Sequence, residues 1–136
     1  MAREISTEDI RLGEEIREKT DPLAIFLTSA DHNHFVMMWA ARPILMGYPA
    51  WVANFGFLYE QRWHDLYTMF QGGPVGLNLL KSYNVSYVVI GSGEIKNYGA
   101  DEKYFHENFE LAFYNDNYRV YDIRKLITAS FINQKN

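Results

Sequence analysis

Residues 23–65 read LAIFLTSADHNHFVMMWAARPILMGYPAWVANFGFLYEQRWHD, and this stretch decides the fold of the chain. Its opening run, residues 23–28, is apolar on both faces of an extended backbone, which is typical of a central strand that is covered on each side. Residues 43–46 form a second, shorter run of the same kind. Because a polar loop and an apolar turn of helix separate the two runs, they predict core strands of an α/β sheet that lie parallel.

The sequence on either side of this stretch predicts further helices, a third core strand and a closing hairpin. Residues 85–90, VSYVVI, have the clearest strand pattern in the chain. The other predicted elements are helices over residues 59–71, 74–83 and 101–105, and a β-hairpin of strands 110–114 and 118–123. The fold class expected is therefore α/β, a layered domain with a mixed, mostly parallel sheet that is flanked by helices and ends in a C-terminal antiparallel β-hairpin.

A single α/β domain is expected over residues 1–136, because this length fits one hydrophobic core. An N-terminal amphipathic helix is expected within residues 1–21, with Ser6 as its cap, and Pro22 launches the first strand. The helix either packs on the domain or continues a segment that precedes it. The core is expected over residues 22–123, followed by a loosely held tail over residues 124–136.

Composition excludes several classes of function. The net charge is −4 with no basic stripe, so nucleic acid is not an expected partner. Cysteine is absent, which excludes disulfides, thiolate metal ligands and a cysteine nucleophile. The longest apolar run, residues 35–41, is far shorter than the ~20 residues that cross a bilayer. We therefore expect the isolated chain to be soluble.

Aromatic residues are unusually frequent, at 16% of the chain. Such a surplus arises either from a tyrosine-rich core, which is the commoner cause, or from a surface that binds sugars, nucleotides or lipid headgroups. The turn over residues 47–51 presents Tyr48 and Trp51, a rigid pair suited to stacking on a sugar ring. An equally supported interpretation is that Trp51 closes the core beneath that loop.

The loop over residues 31–34 carries Asp31, His32 and His34. These groups suit either metal ligation or a base with its orienting carboxylate. Asp31 or Asn33 is equally suited to cap the helix that follows, with both imidazoles packed or solvated. Since no third His or Cys stands at motif spacing, we expect a structural loop, or one that hydrogen-bonds a ligand, rather than a metal site.

Arg62 and Asp65 stand three residues apart on a predicted helix and are able to pair. An arginine facing the strand ends would instead bind phosphate bidentately. The glycine-rich segments 72–74 and 91–94 match neither a Walker nor a dinucleotide motif, and the second lacks the final glycine and the helix opening of a pyrophosphate site. Both are expected to be turns. No complete catalytic motif is present, and no catalytic residue, metal or cofactor is predicted.

Four segments together resemble a known family. They are AIFLTSADHNH (24–34), ARPILMGYPAW (41–51), VSYVVIGSGE (85–94) and YRVY (118–121). This pattern is similar to the C-terminal soluble region of multi-span, GT-C-type glycosyltransferase-like membrane proteins of bacteria and archaea. The resemblance spans residues 22–123. The chain departs from the pattern at Phe35, Ala41, Ala50 and Asn84, which affects loop geometry more than chemistry.

The resemblance implies a non-catalytic extracytoplasmic domain, attached to the membrane through a parent protein that is itself a glycosyltransferase. Its implied partners are the transmembrane part of that parent and a polyprenyl-phosphate sugar donor or glycan acceptor. The implied ligand-binding residues are Asp31, His32, His34, Arg42, Tyr48, Trp51, Tyr59, Arg62, Asp65 and Glu94.

Two other functions stay open. One is a freestanding soluble module that binds a small polar ligand, a sugar or a nucleotide, at the carboxyl ends of the strands. The other is an enzyme with His32 or His34 as its base, which has the least support because no nucleophile or oxyanion-hole signature accompanies either histidine.

Overall fold

The computed structural model describes residues 6–29, 36, 40–41 and 57–126, with the backbone alone for residues 57–60 and 62. The elements in chain order are α1 (Thr7–Lys19), β1 (Ile25–Leu27), α2 (Phe57–Gln71), α3 (Gly73–Ser82), β2 (Val85–Gly91), α4 (Ser92–Tyr98), α5 (Glu102–Asn108), β3 (Glu110–Tyr114) and β4 (Tyr118–Asp122). Within these ranges, no helix has both the length and the apolar character that crossing a bilayer requires.

The strands form one mixed sheet in the order β1-β2-β4-β3. β1 and β2 run parallel, with Phe26 beside Tyr87, whereas β4 runs antiparallel to both β2 and β3. The predicted α/β class, the mixed sheet and the C-terminal hairpin are confirmed. Of the three pairings in the described residues, one is parallel; the strand predicted over residues 43–46 lies outside them.

The sheet is buried on both faces, which explains why β2 is almost uniformly apolar. Val88 and Ile90 point into a core beneath α2–α5, while Tyr87 and Val89 point into a core beneath α1. Phe26 stacks on Tyr87 in the second core, with ring centroids 4.8 Å apart. Tyrosines and phenylalanines therefore contribute to both cores. A core rich in tyrosine is the commoner of the two expected causes of the aromatic surplus.

α1 begins and packs as its sequence predicts. The Ser6 side chain accepts a hydrogen bond from the backbone N–H of Asp9, which is the expected cap. Leu12 and Ile16 lie one turn apart and are buried against the sheet. β1 is shorter than the predicted 23–28, because Leu23 lies in the turn where its N–H bonds to the Asp21 carboxylate.

Two glycines join α2 to α3 as a tight connection. Gly72 and Gly73 both have positive φ, 74° and 75°, a conformation that favours glycine. Pro74 follows at the start of α3, as expected for a residue without an N–H. After α3, Asn84 has a φ of 60°, the left-handed conformation in which asparagine often follows the end of a helix.

The segment after β2 corrects one prediction. Gly91-Ser92-Gly93 was expected to be a turn without a helix opening, but α4 begins at Ser92. The reason is that the Glu94 side chain accepts the backbone N–H of Gly91 and so satisfies a donor at the helix start. Glycine alone at these positions does not reveal this, because the decisive contact comes from a side chain.

The hairpin closes through an asparagine turn. Asn115 Oδ1 accepts hydrogen bonds from the backbone N–H groups of Asn117 and Tyr118. The β3–β4 register shifts between Leu111 and Phe113, as at a β-bulge. Asp101 caps α5, in the helix predicted from residue 101, by accepting the N–H of Tyr104. Of the predicted tail, residues 127–136 lie outside the described residues.

Candidate functional site

Glu94 joins the carboxyl ends of the two parallel strands. β1 ends at Leu27 and β2 at Gly91, and parallel strands place these ends at the same edge of the sheet. Glu94 Oε2 accepts the backbone N–H of Ser29 over 2.9 Å, and Glu94 Oε1 accepts that of Gly91 over 2.9 Å. The side chain is 1% exposed. A buried carboxylate thus fixes the edge at which open α/β sheets usually bind ligands.

The predicted ligand loop begins at this edge. Ser29 is the last described residue before it, two positions ahead of Asp31. Six predicted ligand-binding residues lie outside the described residues: Asp31, His32, His34, Arg42, Tyr48 and Trp51. The same holds for the side chains of Tyr59 and Arg62, whose backbone belongs to α2. Their roles stay predictions.

Asp65 is held by residues of the two helices near it. Its carboxylate accepts hydrogen bonds from Tyr83 Oη over 2.5 Å and from Gln61 Nε2 over 3.0 Å, and it is 9% exposed. These contacts link α2 to the residue that ends α3. The described contacts of Asp65 therefore brace two helices.

Asp65 and Glu94 are attached to opposite ends of β2. Tyr83, which binds Asp65, comes just before Val85 at the start of the strand, whereas Glu94 binds Gly91 at its end. At about 3.3 Å per residue, the seven residues of β2 span roughly 20 Å. The structure therefore brings Glu94 to the predicted edge and places Asp65 toward the other one.

A second polar cluster joins α5 to β4. Arg119 donates to both Glu102 carboxylate oxygens, through Nε over 2.6 Å and Nη2 over 2.8 Å, and Tyr121 Oη donates to Glu102 Oε2 over 2.9 Å. The bidentate hydrogen bonds from Arg119 lower the pKa of Glu102, although partial burial opposes the shift. Burial and then the bond to Glu102 raise the pKa of Tyr121 to about 12.

Sequence reasoning missed this cluster. Its signal is the spacing of Arg119 and Tyr121, which stand two apart on a strand and therefore project from the same face. Their shared partner, Glu102, is 17 residues from Arg119 and has no local pattern to mark it. The cluster binds its own members and holds α5 on the sheet.

A third polar group lies near the edge opposite Glu94. Arg124 donates to both Asp122 oxygens and stacks over the Tyr87 ring, 5.3 Å from its centroid. Burial would raise the pKa of Asp122, but hydrogen bonds from the Arg124 side chain and backbone lower it overall. A cavity of about 530 Å³ there is lined by Glu110, Asp122, Arg124 and Lys125. Among the residues that the structure describes, its lining has two acidic and two basic side chains.

Three of these carboxylates, those of Asp65, Glu94 and Glu102, hold elements of the domain together. Asp65, Glu94 and Glu102 all accept hydrogen bonds from groups of the chain itself. In the described part of the chain, no group of three or more acidic, histidine or cysteine side chains is placed to hold a metal ion. For function, the geometry provides a fixed edge of the sheet, and the predicted loop over residues 31–34, called the histidine loop below, follows this edge in the sequence.

Comparison with known proteins gives no relative from which to transfer a role. No protein-family model matches the chain, and no curated protein matches it either.

Proposed function

We propose that this chain is a non-catalytic extracytoplasmic domain of a multi-span, glycosyltransferase-like membrane protein. In this function it contributes contacts to a glycan acceptor or to a polyprenyl-phosphate sugar donor. The observation that carries the proposal is the edge organised by Glu94, where two parallel strands end and the segment with the motif residues begins. Ligands of open α/β sheets bind outside the carboxyl ends of such strands.

The residues after this edge have the chemistry that a phosphorylated sugar requires. Asp31, His32 and His34 would hydrogen-bond hydroxyls or phosphate oxygens, and the guanidinium of Arg42 suits a bidentate contact with phosphate. Tyr48 and Trp51 would stack on the apolar face of a sugar ring. These roles follow from the resemblance of residues 24–34 and 41–51 to the family pattern.

The catalytic step would belong to the transmembrane part of the parent protein. The domain's described carboxylates support this division, because their hydrogen bonds brace helices and strands. The domain would therefore act by presenting ligand groups to that transmembrane part. Its own turnover of glycosides or phosphate esters should be absent.

An antibody against the chain tests the proposal. Membrane and soluble fractions of the source cells are separated and blotted with this antibody. The proposal requires a membrane-bound band several times heavier than the 15.9 kDa of the chain. A band of 15.9 kDa in the soluble fraction would overturn it and leave a freestanding module that binds a small polar ligand at the same edge.

A further inference from the structure

We infer that Glu94 is a positioning residue, which fixes where the histidine loop leaves the sheet and does not itself contact ligand. The consequence for binding rests on the proposed function, whereas the positioning itself does not. Resemblance alone places Glu94 among the ligand-binding residues. Its burial argues otherwise, because a side chain that is 1% exposed offers almost no surface to a ligand.

The contacts of Glu94 are those of a clamp between two strand ends. In the described part of the chain, Glu94 Oε2 accepts the backbone N–H of Ser29 and Glu94 Oε1 accepts that of Gly91. The Ser29 bond spans 65 positions of sequence, so it fixes tertiary rather than local structure.

Gly91 makes this clamp rigid on the β2 side. A Cβ at this position would meet the Tyr118 ring at 2.7 Å and the Asn117 carbonyl oxygen at 2.9 Å. Glycine therefore allows the strand end to pack directly against the hairpin. Glu94 is anchored to this packed strand end through the Gly91 N–H. Its bond to Ser29 therefore fixes the position of Ser29 relative to the end of β2.

A shift at Ser29 would pass directly to the histidine loop. Asp31 follows two residues later, and two residues of extended chain reach at most about 7 Å. Loss of the Ser29 bond should therefore alter the surroundings of His32 and His34 before it alters distant parts of the fold. This separates positioning from a general contribution to stability.

The four histidines of the chain provide the readout. Diethyl pyrocarbonate modifies accessible imidazoles, and mass spectrometry gives the rate at each site. His64 on α2 is exposed and serves as the internal reference, whereas His106 on α5 is exposed but contacts the Tyr121 ring near Glu102. The test variant is Glu94→Gln, which replaces one acceptor oxygen by a donor. The control variant is Glu102→Gln, which weakens the hydrogen bonds of Glu102 with Arg119 and Tyr121 and leaves Glu94 intact.

Glu94→Gln should change the modification rates of His32 and His34 several-fold and leave His64 unchanged. Glu102→Gln should lower the melting temperature while leaving His32 and His34 at their original rates. The inference would be overturned if His32 and His34 were modified at the same rates in Glu94→Gln as in the parent chain. A uniform change at all four histidines would also overturn it.

Glu94→Asp covers the case in which Glu94→Gln does not fold. It keeps the charge but shortens the side chain by one methylene, so the Ser29 bond should weaken while the fold persists. The same change confined to His32 and His34 is expected, and unchanged rates there would overturn the inference. Because the assay uses no sugar or membrane, it stands whether or not the fractionation experiment supports the proposed function.

Discussion

Asp9 and Asn115 lie 106 positions apart in the sequence, and Asn115 Nδ2 donates a hydrogen bond to Asp9 Oδ1 over 2.8 Å. Asn117 Nδ2 donates to the same oxygen over 3.2 Å. Asp9 is 6% exposed, although it belongs to the charged first turn of α1. This contact ties the first helix to the turn of the last hairpin and closes the domain.

Asp9→Ala should destabilise the chain by about 1–3 kcal/mol, because it leaves two side-chain amides without their carboxylate acceptor. Urea denaturation measures the difference in the free energy of unfolding. Glu14→Ala, an exposed carboxylate on the same helix, is the matched control and should change stability by no more than about 0.5 kcal/mol. Equal losses in both variants would show that the hairpin contact contributes nothing measurable.

Glu102 should make stability depend on pH on the acid side. Its pKa is lower in the folded chain than its ordinary value, chiefly because Arg119 hydrogen-bonds to the carboxylate. Between the folded and unfolded pKa values the unfolded chain binds more protons, so stability falls as the pH falls. The contribution is complete above the unfolded pKa, near 4.5, and is lost as the pH drops through the folded pKa.

Glu102→Gln should therefore lower stability at neutral pH by about 1.5–3 kcal/mol and flatten its decline toward acid pH. Urea midpoints over a series of acidic buffers measure both effects. Glu107→Gln is the control, since Glu107 is exposed and lies 4.0 Å from Lys103. If Glu102→Gln keeps the acid slope of the parent chain, the carboxylate does not carry this dependence.

Tyr121 should be among the last tyrosines to ionise. Burial and the bond to Glu102 raise its pKa from 10.0 to about 12, so the neutral form is favoured in the folded chain. Its contribution to stability is complete below pH 10 and is lost as the pH rises through 12. Tyr121→Phe should remove a late-ionising group from the alkaline absorbance titration. An unchanged late phase would contradict the assignment.

Gly91→Ala and Gly93→Ala should have opposite effects. The new methyl at position 91 would meet the Tyr118 ring and the Asn117 carbonyl oxygen below 3.0 Å, so about 1–3 kcal/mol of stability should be lost. No described residue has an atom within 4 Å of a Cβ at Gly93, and that position is within α4. Alanine there should stabilise by up to about 1 kcal/mol. Thermal unfolding of the pair gives the comparison, and a loss at both positions would refute it.

His34→Ala or Trp51→Ala should impair the function of the parent protein if the proposed function holds. The melting temperature of the isolated chain should stay within a few degrees, because a ligand contact adds nothing to an unliganded fold. His64→Ala, at an exposed histidine of α2, is the control and should leave function intact. Loss of folding in both variants would instead assign both residues to the core.

The sequence predicts the sheet well where burial alone decides structure. Residues 85–90 were predicted as a strand and β2 covers Val85–Gly91, because cores on both faces require an apolar run. The prediction for residues 23–28 was too long, since Leu23 has an apolar side chain that is nonetheless 83% exposed. A run of apolar residues does not reveal that one of them lies in a turn, with its side chain outside the core.

Contacts between distant residues could not be predicted. Asp9 lies in the first turn of α1, within the helix that the sequence predicts, but its amide partners lie in the hairpin. Likewise Glu94 was placed at the ligand site by resemblance, while its burial and its bond to Ser29 depend on the packed sheet. Periodicity describes one element at a time, whereas these roles arise between elements.

The bond between Asp9 and Asn115 also has a consequence for how the chain is made. Synthesis releases the amino end first, so α1 and β1 leave the ribosome well before the hairpin and β2 that cover them. The apolar side chains of Leu12 and Phe26, both buried in the finished domain, must wait for those later strands. Contacts between distant positions also slow folding. The segment with α1 and β1 is therefore the part of the domain whose apolar side chains stay exposed longest during synthesis.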